Sequence, residues 1–195
     1  ILSDTDMESL SSAGVPWNDV YPVYGIWTDG ERALEVTHSD GNLSTCLKVE
    51  SVSTRQEPSA KVTVIRMKDT AYPFYVNVCY RAYEDVDMIE TWTEIENREK
   101  KPVKLTRFDS GSIPVRYGNV WLTHLAGSAN NEGRLIQEPL ERGMLVLRNK
   151  DGVRNTHTDH PEVMFSLDGK PLEHTGQVIG AALCYSGNYE LRVQT

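Results

Sequence analysis

Five histidines and twenty-eight carboxylates are the side chains of this 195-residue chain best suited to chemistry. His157-Thr158-Asp159-His160 packs imidazole and carboxylate into one short run, and both groups ligate zinc and nickel. One short cluster rarely closes a four-ligand shell, so hydrogen bonding of His157 to a loop backbone is the more economical role and no metal is expected. A second chemistry is general acid–base catalysis, which needs a base and an acid converging on one substrate. His124, His157, His174 and Glu173 have the right types for it. A third is aromatic stacking on a sugar, for which Trp17, Trp27, Trp92 and Trp121 are available. Trp92 and Trp121 fall inside strand patterns and are expected in the core or at an interdomain contact.

The elements that would position these groups are strands. Phe74, Val76, Val78 and Tyr80 alternate with Tyr75, Asn77, Cys79 and Arg81, the period-two pattern of a half-buried strand. The next run places Ile89, Thr91, Thr93 and Ile95 on one face and Met88, Glu90, Trp92, Glu94 and Glu96 on the other. An antiparallel pair joined across Glu84-Asp85-Val86-Asp87 follows. Further strands are expected at 32–36, 43–52, 61–67, 102–108, 120–125, 144–148 and 163–167, with a closing hairpin over 176–193 that turns at Ser186-Gly187-Asn188. Turn signals recur at Asp40-Gly41, Asp151-Gly152 and Asp168-Gly169, and no run carries a sustained 3.6-residue period with caps. Ten or so strands cannot lie in one flat sheet without exposing an apolar face, so two antiparallel sheets packed face to face are expected.

The length suits one all-β domain over 1–195, with 1–20, rich in Ser, Asp and Glu, as an irregular arm. Twenty basic residues against twenty-eight acidic leave a net charge of −8, which repels phosphate backbones and anionic lipid and argues against nucleic-acid or membrane partners. No apolar stretch approaches the roughly 20 residues of a membrane span. Cys46, Cys79 and Cys184 lie in strand-like runs and read as buried free thiols; a Cys46–Cys79 bridge is compatible with an oxidising compartment. The compartment is open between cytoplasm and periplasm.

Six segments, in order, resemble the N-terminal domain of glycoside hydrolase family 36 α-galactosidases. They are Tyr21-Pro22-Val23-Tyr24-Gly25, Asp40-Gly41, Tyr83 through Ile89, His124-Leu125-Ala126-Gly127, Asn155-Thr156-His157 through Pro161, and Gly176 through Tyr189. The resemblance implies a β-supersandwich of the galactose mutarotase-like type, set before a (β/α) barrel that carries two catalytic aspartates. No catalytic residue and no cofactor is then expected here. The implied partners are the barrel of the parent protein, a homo-oligomer, and α-galactosides bound by the parent. The start at Ile1 suggests a processed or excised piece; family members usually have further strands where this chain has about twenty residues before Tyr-Pro-x-Tyr-Gly, so either the first strands are missing or the piece begins late.

The resemblance also implies that Asp4, Asp6, Trp17 and Asp19, in the arm before Tyr-Pro-x-Tyr-Gly, border a neighbouring subunit's sugar pocket, with His157 at a matching family position. Carboxylates there would accept hydrogen bonds from sugar hydroxyls, and the indole would face the C–H side of a pyranose. Ala129 occupies a position where the family usually has Trp, and His160 does not match its family position, which is more often Asn. Any two carboxylates could be nominated as acid and nucleophile for glycoside cleavage, but without the barrel they read as solvated strand faces. A carbohydrate-binding module and a mutarotase-like epimerase are the competing readings. A domain cut from its barrel is also expected to expose apolar side chains.

Overall fold

A computed structural model describes residues 21–23, 31–115, 118–154 and 158–195. Asp4, Asp6, Trp17, Asp19, Trp27 and His157 lie outside the described residues. The chain divides into two compact units, Ile1–Pro114 and Val115–Thr195. Every regular element among the described residues is a strand, and every pairing of strands is antiparallel.

In the first unit, β1 is Leu34–Thr37, β2 Leu47–Glu57, β3 Ala60–Asp69, β4 Phe74–Tyr83, β5 Ile89–Asn97 and β6 Lys104–Phe108. Strands β2 to β5 form a four-stranded meander in sequence order, while β1 pairs with β6. The register sets Val76 against Met67 and Ile95, and Val78 against Ile65 and Thr93. Alternation therefore gives the meander one apolar face, which packs with Leu34 and Val36 of β1 and with Tyr21 and Val23 around the fully buried Phe74. Each such side chain stabilises by about 1.5–3 kcal/mol on burial. The pair β4–β5 matches its sequence pattern, and Asp40-Gly41 turns as expected, with Gly41 at φ 91°.

Asp69, at the end of β3, is buried and accepts three backbone hydrogen bonds, from Cys46 N at 2.6 Å and from Ala71 N and Tyr72 N at 2.8 Å. It closes the β3–β4 turn and ties the start of β2 to it.

In the second unit, β7 is Trp121–Ala126, β8 Arg134–Pro139, β9 Met144–Asn149, β10 Asp159–Ser166, β11 Val178–Ala182 and β12 Tyr189–Gln194. One sheet runs β11-β10-β7-β8, and β12 pairs with β9. Leu122, Val163 and Phe165 from the larger sheet meet Leu147 of β9 and Leu191 and Val193 of β12 in a single core. Strand β8 carries no clean alternation and was not expected from the sequence.

The closing hairpin is corrected by this pairing. Residues 178–182 and 189–194 are both strands, but β11 joins β10 and β12 joins β9, so the two do not pair with each other. Asn149 is the physical reason. Its amide nitrogen donates to Gly152 O at 2.7 Å and Gly187 O at 2.8 Å, while Asn188 Oδ1 accepts from Gly152 N at 2.8 Å. The Ser-Gly-Asn segment is thus pinned to the end of β9 rather than turning back on β11.

Cys46, Cys79 and Cys184 are all free thiols. Cys79 is buried as expected, and burial, with Glu94 nearby, pushes its thiol pKa up. Cys184 is exposed, because it sits in the connection between β11 and β12 rather than in a strand.

Gly127, in the His-Leu-Ala-Gly motif, ends β7 where the chain folds back on itself. A Cβ there would stand 2.7 Å from Glu132 Cα and 2.8 Å from Asn131 O, both backbone atoms that cannot swing aside. Gly127→Ala is expected to destabilise the second unit by about 1–3 kcal/mol, seen as a lower denaturation midpoint. A midpoint equal to the parent's would show that residues 128–132 yield without cost.

Candidate functional site

The face of the meander opposite the core concentrates Tyr, Trp and Arg. Alternation puts Tyr75, Asn77, Cys79, Arg81 and Tyr83 of β4 there, and register adds Arg66 of β3 and Glu90, Trp92, Glu94 and Glu96 of β5. Beneath these long side chains, Ala60, Val62 and Cys79 are buried.

Arg66 organises one end of the face. Its Nε reaches Glu50 at 3.0 Å, its terminal nitrogens reach Glu96 at 2.9 Å and Asn77 at 3.2 Å, and its guanidinium carbon lies 4.3 Å from the Tyr75 ring centre. Arg98 stands 5.1 Å from the same ring. Arg81 organises the other end, 5.2 Å from the Trp92 ring, with Glu57 at 3.2 Å and Glu90 as its second carboxylate partner. Trp92 Nε1 donates to Glu94 at 3.1 Å, and Asn77 donates to the same carboxylate at 3.0 Å. Tyr75, near Arg66 and Arg98, and Trp92, beside Arg81, are held by cation–π attraction, which suits flat recognition of another surface.

Three carboxyls along this face are held low by hydrogen bonds. Hydrogen bonds from Arg66 and then Arg98 hold Glu96 below the usual carboxylate range, those from Asn77 and Trp92 do the same for Glu94, and that from Arg55 does so for Glu57. Asp40 and Glu99 are also lowered. A general acid needs a shift in the opposite direction.

The first unit also contains a buried polar cluster that the sequence did not disclose. His38 Nδ1 lies 2.8 Å from Glu99 Oε1 and His38 Nε2 lies 3.1 Å from Thr45 Oγ1, with the His38 and Glu99 side chains 0% and 3% exposed. A carboxylate only accepts, so Nδ1 carries the proton. Ser39 N donates to the second Glu99 oxygen at 3.0 Å, and Tyr72 stacks on the imidazole with ring centres 3.8 Å apart. Burial raises the Glu99 pKa, but the hydrogen bonds from His38 and Ser39 outweigh it and leave the carboxyl below its usual range. The order hydroxyl, imidazole, carboxylate is that of a nucleophilic triad, yet Thr45 is itself buried, so the cluster braces the 38–45 loop instead of meeting a substrate.

Of the residues named for acid–base chemistry, those that the structure describes stand in different environments. His124 is buried in β7, with Nε2 3.4 Å from Glu138 and no partner for Nδ1, whereas the side chains of His174 and Glu173 are 84% and 88% exposed in a loop. Asp159 and His160 open β10. Asp159 accepts from Arg148 N at 3.1 Å and His160 lies 3.8 Å from Glu162. Among the described residues no three His, Cys, Asp or Glu side chains form a group able to hold a metal ion. Trp121 is half-buried with the Lys170 amine 5.8 Å from its ring centre. Exposed apolar side chains of the first unit gather on the edge strand β2, at Val49 and Val52, and around the β4–β5 turn, at Val86, Met88 and Ile89.

Comparison with known proteins gives one consistent result. The sequence profile of the Glycosyl hydrolase family 36 N-terminal domain matches residues 3–195. The chain is 24% identical over 189 residues to alpha-galactosidase AgaA of Geobacillus stearothermophilus, covering 89% of this chain and 26% of that one. It is 24% identical over 141 residues to alpha-galactosidase Mel36A of Lactobacillus acidophilus, covering 72% and 19%. The crystal structure of AgaA superposes with a TM-score of 0.83, and that of the alpha-galactosidase from Lactobacillus brevis, 21% identical, with 0.78 over 90% of this chain and 25% of the other. The fold is the antiparallel all-β sandwich of these enzymes' N-terminal region, and the chain spans about a quarter of their length or less.

Proposed function

The chain belongs to the glycosyl hydrolase family 36 N-terminal domain family, and from that premise we propose that it is the non-catalytic accessory domain of an α-galactosidase. In this reading it braces a catalytic (β/α) barrel and the enzyme's oligomer, and residues Asp4, Asp6, Trp17, Asp19 and His157 border the pocket that receives the α-galactoside. The observation that carries the reading is the outer face of the β2–β5 meander. Tyr, Trp and Arg are the residue types that dominate binding energy at protein interfaces, and Tyr75, Trp92, Arg66 and Arg81 lie side by side on it in fixed positions.

Two measurements test this. The chain by itself is expected to release no aryl alcohol from an aryl α-galactoside above the buffer rate, and sustained turnover would overturn the reading. In the enzyme that carries the domain, Tyr75→Ala with Trp92→Ala is expected to weaken subunit association about thirtyfold, the factor for about 2 kcal/mol at an interface centre. Sedimentation unchanged by the double substitution would remove this face from the interface.

A further inference from the structure

The strand order leaves β2 at one edge of the four-stranded meander, and among the described residues no other backbone pairs with its outer side. Such an edge carries a row of open N–H and C=O groups, a template for one more strand. Lys48 through Gln56 are all exposed along this 11-residue strand, with Val49 at 60% and Val52 at 61%. Proteins guard edges with charge and with bulges, and β2 has both, in Lys48 and in the extra residue Glu50. Charge blocks pairing only where like meets like, so register decides what these residues do.

Pairing with β3 sets the two faces of the strand. Val49, Val52, Thr54 and Gln56 lie opposite Met67, Ile65, Thr63 and Lys61 on the core side, and Lys48, Ser51, Ser53, Arg55 and Glu57 lie on the other. A second copy that continues the sheet as a closed pair, core side with core side, is antiparallel about a twofold axis normal to the sheet. One residue then meets its own copy at the centre. Three centres use most of the strand, counting Glu50 as the one extra residue of the bulge. Centred on Val52, Arg55 meets Lys48; centred on Thr54, Glu57 meets Ser51 with Glu50 beside it. Both bring like charges together. Centred on Ser53, Lys48 meets Glu57 and Arg55 meets Ser51 with Glu50 beside it, each contact occurring twice by symmetry. Val52 then stands beside Thr54 and Val49 beside Gln56, which takes both exposed valines out of full contact with water.

The outer side has a place for that added carboxylate. Lys48 faces Lys68 across the β2–β3 register, and neither ammonium has an ion-pair partner among the described residues. Like charges directly opposite weaken a ladder, and Glu57 of a second copy would stand next to them. We propose that β2 is a self-pairing edge through which two copies of this chain join antiparallel, Ser53 against Ser53, into one continuous sheet. The inference stands apart from the accessory-domain reading, which uses the face of the meander and not its edge. A chain that stays monomeric can still brace a barrel.

The test is sedimentation equilibrium of the 195-residue chain, where a monomer–dimer equilibrium with a dissociation constant of about 1–100 μM is expected. Lys48→Glu and Glu57→Lys, measured separately, should each weaken the dimer about tenfold, because each sets two like-charge contacts where two opposite ones stood. Lys150→Glu, the same change of charge in the second unit, should leave it unmoved. Mixed one to one, the Lys48→Glu and Glu57→Lys chains should pair with each other as tightly as the parent, since every contact between them again joins opposite charges. Monomer alone up to about 1 mM would overturn the proposal. So would a dimer indifferent to Lys48→Glu, a mixture no tighter than its components, or dissociation by Tyr75→Ala with Trp92→Ala alone, which would put the contact on the outer face.

Discussion

His38→Ala is expected to destabilise the first unit by about 3–5 kcal/mol, the cost of leaving a buried carboxylate without its partner. The Glu99 side chain is 3% exposed and held by His38 Nδ1 and Ser39 N, so the substitution leaves it with one of these two hydrogen bonds. Stacking of Tyr72 on the imidazole is lost as well. The measurement is urea unfolding followed through protection of the Phe74 and Val76 amides, since the second unit need not unfold in the same transition. An unchanged midpoint would show that water enters and replaces the imidazole. The pH dependence has a defined sign. A carboxyl held below its unfolded value contributes stability that is fully present above the unfolded pKa and is lost as pH falls through the folded one. The wild-type chain should therefore lose stability progressively below about pH 4.3, the reference glutamate value, and Glu99→Gln should flatten that slope.

Asn149→Ala is the second large effect, at about 3 kcal/mol. One side chain, 1% exposed with its residue, donates to Gly152 O and Gly187 O and accepts from Asp151 N at 3.1 Å. Three hydrogen bonds at about 1 kcal/mol each are lost, and the Gly187 carbonyl loses its donor in a buried site. Hydrogen exchange should show the β9–β12 ladder opening before β7–β10 does. Loss of protection spread evenly over both would show that the two sheets open as one, and that Asn149 does not govern the ladder alone.

Most strands were legible because their signal is local. Alternation at residues 74–81 and 89–96 requires only that one face be buried, and the structure buries that of β4. Partnership was less legible than strand character. Val178–Ala182 and Tyr189–Gln194 are close in sequence and separated by Ser-Gly-Asn, which argues for a hairpin, yet what decides their pairing is an asparagine some forty positions earlier. The His38–Glu99 contact likewise joins residues far apart in sequence, and nothing around either histidine or glutamate marks it. The outer face was half visible: its acidic side was read from Glu90, Glu94 and Glu96, whereas the arginines that neutralise it come from neighbouring strands and enter only with register. Asp4, Asp6, Trp17, Asp19 and His157 lie outside the described residues, and their place beside a sugar remains part of the proposal.

The sequential order of the β2–β5 meander has a consequence for how the chain reaches its native state. Each of its pairings is a hairpin between neighbours, so its loops are short and cheap to close, whereas β1 must wait for β6, with Leu34 finally opposite Phe108. During synthesis the meander can zip while its apolar face is still bare. For that interval Phe74, Val76 and Val78 are open to other nascent chains, an aggregation hazard that ends for this face once residue 108 has left the ribosome and β6 can pair.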